Sequence, residues 1–149
     1  IEEIFRVFPL IKNGSPFFSD FFHTREFSMM EYVGIPYKEN GVDPNVGLDC
    51  YGCVRIVLNS ELGLDFPEKP PSSASWPRYV KIFRIPPWDL RLYNVLMFAE
   101  IIEGLTNHIG VVISATDFLH AGSQFGGVVR EPIRRYEHKI IAIGRPIRS

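Results

Sequence analysis

Cysteine is scarce in this chain, with two residues in 149, at Cys50 and Cys53. A small fold stapled by several disulfides is therefore excluded, and the redox compartment is left undeclared. Surplus charge is absent as well: 16 Lys+Arg stand against 17 Asp+Glu. That balance argues for no nucleic-acid partner and for no solvating acidic tail. Long apolar runs are also missing. Stretches such as Val95-Leu96-Met97-Phe98-Ala99 fall far short of the ~20 residues that span a bilayer. No signal peptide is visible, and because the first residue is Ile1 a removed leader stays open. There is no internal repeat and no domain boundary. What is present is a 46% hydrophobic, 22% charged composition, which suits one ordered domain over residues 1–149 with a real core.

The stretch around which the rest is organised is Gly47-Leu48-Asp49-Cys50-Tyr51-Gly52-Cys53-Val54-Arg55-Ile56-Val57-Leu58, approached through the turn-forming Asn40-Gly41-Val42-Asp43-Pro44-Asn45. Apolar residues at 50, 53, 54, 57, 58 and 62 have the spacing of an amphipathic helix, and Gly63 is a stop signal. Asp49 is a good N-cap, which opens the first turn at Cys50. Unpaired backbone N–H groups and the positive end of the helix dipole lie there, and both favour a thiolate over a thiol. A nucleophilic cysteine belongs at such a place; a buried core cysteine is the competing reading.

Upstream, residues 1–31 read as an N-terminal helical extension, aromatic-rich from Phe17 to Tyr32, with an aromatic stripe that suits a core better than a ligand platform. Downstream of Gly63, residues 64–92 form a long Pro-rich connection, anchored by Trp76 and Trp88, with a short helix or strand at 78–83. A connection of that length is either functional or wrapped on the surface. From Tyr93 the pattern turns to strands: a short apolar run at 94–99, a turn at 104–107, a β-branched central strand at 108–114, then strands at 118–121, 126–130 and 139–143, with 133–136 a short helix or a loop. Helices first and strands later make the fold class α+β, with the Cys50 helix packed on a mainly antiparallel sheet.

Two histidines fall on those strands. Side chains alternate along a strand, so His108, Gly110 and Val112 share one face. A three-residue loop before the next strand brings His120 to the same face beside Gly110, within reach of His108. A thiol at a helix start, an imidazole to pair with it and a second polar group to orient that imidazole are what nucleophilic catalysis needs. A lone strand histidine is usually structural; two on one face below a helix-start cysteine shift that balance.

Gly34-Ile35-Pro36-Tyr37, Gly47-Leu48-Asp49-Cys50-Tyr51-Gly52-Cys53-Val54, His108-Ile109-Gly110-Val111-Val112 and Leu119-His120-Ala121 together resemble the ordered motifs of the NlpC family of papain-like cysteine peptidases, which cut bacterial peptidoglycan stem peptides. The likeness runs from about Tyr32 to Ala121. It implies that Cys50 is the nucleophile, His108 the general base and His120 the polar group that orients it. It implies that Tyr37 flanks the cysteine and polarises the scissile carbonyl, with Asp49 and Tyr51 beside it at the oxyanion and substrate-binding positions. No cofactor is implied. Departures are Tyr51 where the family has Ser, Cys53 where it has Leu, and Tyr93-Asn94 where it has Gly-Asp; Tyr51 is expected to alter the substrate groove. The form around Cys50 with Val54-Arg55, together with Gly126-Gly127-Val128-Val129-Arg130-Glu131 and Gly144-Arg145-Pro146, resembles most the branch found in phage tails and gene-transfer particles. That implies a tail-tip component with other tail or assembly proteins as partners, which opens the cell wall for DNA; the family resemblance itself implies a cut between D-glutamate and the diamino acid. A secreted bacterial cell-wall enzyme is the alternative location.

Three other readings compete. Cys50, Cys53, His108 and His120 form a two-Cys, two-His set chemically acceptable to zinc, although the histidine spacing does not suit a compact finger. Cys50-Tyr51-Gly52-Cys53 has redox spacing, but lacks the βαβ context that such pairs use. A structural tail-assembly protein with a retained peptidase fold is the third.

Overall fold

The computed structural model describes residues 28–99 and 108–148. The expected helices before Ser28, the aromatic residues Phe17 to Phe27 and the turn at 104–107 lie outside the described residues.

Among the described residues the strands and the helices with established bounds follow in chain order: β1 (Val42–Asp43), β2 (Gly47–Leu48), α1 (Cys50–Leu62), β3 (Val80–Phe83), β4 (Val95–Phe98), β5 (His108–Val112), β6 (Asp117–Gly122), β7 (Gly127–Pro132), α2 (Ile133–Tyr136) and β8 (Ile140–Pro146). Strands β1 and β2 form a small hairpin closed by the Val46 N–H to Asp43 carbonyl bond at 2.9 Å. The other six make one antiparallel sheet in the order β3-β8-β4-β5-β6-β7. The run from β4 to β7 is the expected meander. The last strand then inserts between β3 and β4, which extends it to Pro146, beyond the expected end at Ile143. The segment at 78–83 resolves into a turn of 3-10 helix at Trp76–Arg78 followed by a strand.

Helix α1 starts and stops where local chemistry dictates. Asp49 has extended backbone and its carboxylate accepts the Gly52 N–H at 2.7 Å, while Gly63 closes the helix in the left-handed region at φ 65°. Cys53, Val54, Val57 and Leu58 are fully buried, as the stripe requires. They pack on one face of the sheet against Val95, Val111, Leu119, Ala121 and Val128. The other face of the same strands carries a second core, with Leu96, Phe98, Val112, Phe118, Ile133 and Ile143, over which Trp88 and Leu90 fold. The sheet thus separates two hydrophobic layers, as the alternation along β4, β5 and β6 demands.

The Pro-rich connection wraps the back of α1. Phe66 is its plug: Asn59 exchanges hydrogen bonds with the Phe66 backbone at 2.8 and 3.2 Å, and Arg55 Nε donates to the Phe66 carbonyl at 3.1 Å. Trp76 packs on Tyr51 and Phe66, and Trp88 seals the opposite layer, so both tryptophans anchor the connection. Among the described residues no helix is long and apolar enough to cross a membrane.

Candidate active site

The segment Gly34–Tyr37 ties the two halves of the site together. On one side Gly34 N–H bonds to the Val128 carbonyl and Val128 N–H to the Ile35 carbonyl, both at 2.9 Å. On the other side Leu48 N–H bonds to the Pro36 carbonyl at 2.9 Å, and Tyr37 bridges Leu48 in parallel register. Tyr37 is therefore pinned beside Leu48, two residues before Cys50. Its phenol lies close enough to Asp49 and Cys50 for their charges to act on it; burial first, then Asp49, Glu39 and Cys50, push its pKa up.

Cys50 opens α1, and Gly52 is what lets the approach chain lie so close. A Cβ at Gly52 would stand 2.0 Å from the Gly41 carbonyl oxygen, a contact that the backbone itself blocks. The Cys50 sulfur sits at the start of β5, where the Ile109 backbone N–H hydrogen-bonds to its charged form. The thiol is nevertheless pushed up, not down. Burial is the largest cause and the neighbouring Asp49 charge adds to it; the Ile109, Tyr51 and Cys50 amides oppose them. The expected thiolate-favouring helix start is thus present but outweighed by desolvation, which favours the thiol at this half-buried residue.

His108 and His120 meet as the strand alternation requires. Val111 faces Leu119 and Val112 faces Phe118, so the register carries His120 to Gly110. Gly110 makes room below: a Cβ there would come within 2.6 Å of the Phe118 ring, and that ring lies 4.5 Å from His120 and 5.4 Å from Phe98. His108 Nε2 and His120 Nδ1 are 2.8 Å apart, and both histidines are fully buried. Burial drives both imidazoles toward the neutral form; mutual repulsion adds to this at His108, and the charge of Glu131 partly offsets it. His108 Nδ1 is buried without a hydrogen-bond partner. Since Nε2 is engaged, Nδ1 is the nitrogen left for the thiol at the neighbouring Ile109.

Of the other two expected site residues, Asp49 stays beside the sulfur and Tyr51 does not. The Asp49 carboxylate is the helix cap. Tyr51 is turned away from the site: it is 4% exposed, donates its hydroxyl to the Pro67 carbonyl at 2.5 Å and stands edge-on to Trp76. One helical step carries position 51 onto the face covered by the Pro-rich connection, so its ring builds core and not groove. Cys53 lies fully buried under α1, with its thiol pushed up by burial and then by the Cys50 and Asp49 charges. It lies one turn from Cys50 on the same stripe, but Cys50 is half-buried and Cys53 fully buried, which disfavours a solvent-facing redox pair. The same placement separates Cys53 from the histidines across the sheet. Among the described residues no group of three or more His, Cys, Asp or Glu is placed to hold a metal.

No family model matches the chain. In three dimensions it superposes on the NlpC/p60 domain of the peptidoglycan hydrolase SagA with a TM-score of 0.58 and 18% identity, over 81% of this chain and 96% of that one. A lipoprotein-like NLP/P60 family protein from Staphylococcus aureus subsp. aureus Mu50 gives a TM-score of 0.62 at 19% identity, over 93% of this chain and 46% of that one. The fold is that of NlpC/P60 domains. Among curated proteins, the gamma-DL-glutamyl hydrolase of Bacillus subtilis (strain 168) is 28% identical over 91 residues, 61% of this chain. The match spans 21% of that relative's length. Placed on an NlpC/P60 frame, the helix-start thiol and the strand histidines of this chain occupy one corner, where α1 meets the beginning of β5.

Sequence reasoning gave Glu131 no place in the site. Its Oε1 lies 3.6 Å from His120 Nε2, a charge contact longer than a hydrogen bond. The strand at 126–130 was expected to end one residue short of it, and no local pattern sets which face residue 131 takes.

Proposed function

We propose that this chain is a cysteine peptidase of the NlpC/P60 family, acting on peptidoglycan stem peptides. The observation that carries the reading is the corner just described: a thiol at a capped helix start, beside an imidazole whose outer nitrogen is held by a second imidazole at 2.8 Å and whose inner nitrogen is free.

The chemistry follows from those positions. Cys50 Sγ attacks the amide carbonyl carbon while its proton passes to His108 Nδ1. The oxyanion is met by backbone N–H groups at the start of α1 and by the Tyr37 hydroxyl. As the C–N bond breaks, His108 returns the proton to the departing amine and a thioester remains. Water, deprotonated by His108, then adds to the thioester; the S–C bond breaks, the acid leaves and Cys50 recovers its proton. His120 holds the His108 ring throughout. A neutral resting pair suits this route, in which the base takes the proton as the sulfur attacks.

The scissile bond we assign is that between D-glutamate and the diamino acid. The motif resemblance supports it, as do the likenesses to a gamma-DL-glutamyl hydrolase and to a peptidoglycan hydrolase domain. We assign the protein to a phage tail tip, among other tail proteins, on the sequence pattern around Cys50, Glu131 and Gly144 alone. The deciding experiment is digestion of purified peptidoglycan by the wild type and by Cys50→Ala, read by mass spectrometry. Stem-peptide fragments with a new diamino-acid amine are expected from the wild type only. Absence of fragments from the wild type, free and in its assembly, overturns the enzymatic reading. Immunolabelling of purified particles tests the tail-tip location.

A further inference from the structure

Strand β7 brings a carboxylate to the histidine pair. Across β6 and β7, Phe118 faces Glu131 and His120 faces Val129. Glu131 is thus the diagonal neighbour of His120 on the same sheet face. Its carboxylate is held from the far side: Oε2 meets Arg135 Nη1 at 3.3 Å, and the Tyr136 side chain hydrogen-bonds to it. Besides the thiol at the start of α1, the ionisable groups next to the pair are Glu131 from β7 and Tyr136 from α2, whose ring lies 5.8 Å from His120; Arg135 reaches only the Glu131 carboxylate.

The 2.8 Å contact between His108 Nε2 and His120 Nδ1 holds one proton between two nitrogens: one donates and the other accepts. Two arrangements are available. In the first, His120 Nδ1–H donates. His120 Nε2 is then a bare lone pair turned to the Glu131 carboxylate, an acceptor set against an anion in a buried place. His108 would carry its own proton on Nδ1, where it cannot take one from Cys50. In the second, His120 carries its proton on Nε2, toward Glu131. Its Nδ1 accepts from His108 Nε2–H, and the lone pair on His108 Nδ1 is free. A carboxylate 3.6 Å from His120 Nε2 selects the second arrangement.

We propose that Glu131 is a positioning residue of the site: acting through His120, it holds His108 in the tautomer whose Nδ1 is open to the Cys50 proton. When that nitrogen becomes protonated, the new positive charge faces a chain that ends in an anion, and the Glu131 charge favours the protonated form of His108. Only the kinetic consequence rests on the peptidase reading; the tautomer is a property of the folded chain.

The test uses protein with isotope-labelled histidine nitrogens, in the wild type and in the same-shaped Glu131→Gln, read by NMR at neutral pH. In the wild type, His108 is expected to be unprotonated at Nδ1 and protonated at Nε2; in Glu131→Gln the two tautomers are expected to mix. Alkylation of Cys50 at neutral pH should slow in the variant, because proton transfer to His108 is less favoured. On peptidoglycan, kcat should fall about tenfold with KM within about twofold, a part of what general-base catalysis supplies. A wild-type His108 protonated at Nδ1 overturns the proposal whether or not the variant folds. So does an unchanged tautomer together with an unchanged alkylation rate in Glu131→Gln. If the wild type cleaves no peptidoglycan, the peptidase reading falls while the tautomer and alkylation results still decide this one.

Discussion

Asp49 does two things that a pair of substitutions separates. Its carboxylate caps α1 through the 2.7 Å bond from Gly52 N–H, with further backbone donors at Asn40 and Tyr51. It also places a negative charge beside the Cys50 sulfur, where that charge disfavours the thiolate. The substitution Asp49→Asn keeps a cap oxygen and loses the charge; Asp49→Ala loses both. An N-cap to Ala change costs about 1 kcal/mol, with a range of about 0.5–2, whereas Asn and Asp cap about equally well. For a domain of this size each 1 kcal/mol moves Tm by roughly 2–4 °C. Asp49→Ala should therefore melt a few degrees below the wild type, and Asp49→Asn within about a degree of it. The sign at the sulfur is opposite. A neighbouring anion raises a thiol pKa, so removing it leaves more thiolate at neutral pH. Iodoacetamide should then label Cys50 faster in Asp49→Asn than in the wild type, with Cys53 buried and silent. Calorimetry and timed alkylation with peptide mass mapping read the two effects on the same samples. Equal destabilisation of both variants would refute the capping argument. Slower labelling of a fully folded Asp49→Asn would refute the electrostatic one.

Tyr51→Phe removes the hydroxyl that meets the Pro67 carbonyl and leaves the ring in place. It should cost about 1 kcal/mol in urea unfolding while kcat and KM on peptidoglycan stay within about twofold; a large kinetic loss at unchanged stability would return Tyr51 to the substrate groove. For pH, the folded pKa of His120 is depressed by burial from 6.5 to about 4, and that of His108 is depressed too. A depressed folded pKa means that the unfolded chain binds the proton first, so stability is full above pH 6.5 and is lost as pH falls toward 4. His120 alone accounts for about 2 kcal/mol by pH 5, from the linkage relation. Urea midpoints that stay flat between pH 7 and pH 5 would show that the pair is not held neutral.

The parts of this protein legible in its sequence are those set by short-range chemistry. Asp49, the 50–58 stripe and Gly63 define α1 without reference to anything else in the chain, and the structure follows them. The pairing of His108 with His120 was legible for the same reason: only a short turn, closed at Ser114 by hydrogen bonds from Thr116 and Asp117, separates β5 from β6, so parity alone sets the shared face. Parity fails once a connection is irregular. Between β6 and β7 a turn of 3-10 helix at Ser123–Phe125 and Gly126 in the left-handed region set the register, and neither has a marker that counts residues. Glu131 was therefore invisible as a neighbour of His120. The insertion of β8 between β3 and β4 was invisible too, since it depends on contacts between residues far apart in the sequence, such as Val80 against Pro146.

The one physical inference that the structure reverses is the state of the sulfur, and the reversal bears on mechanism. A helix start contributes partial charge from a few amides, a modest and local effect. Partial burial takes water from the same residue, and desolvation acts on the full charge of the thiolate. The larger effect wins at rest. For the proposed peptidase, attack then draws on a base that is free, neutral and aimed more than on a standing thiolate. Two buried imidazoles supply the neutrality, the bond between them supplies the aim, and the sheet supplies both. It carries the histidines on the face opposite α1, yet brings the beginning of β5 to the end of the helix where Cys50 sits.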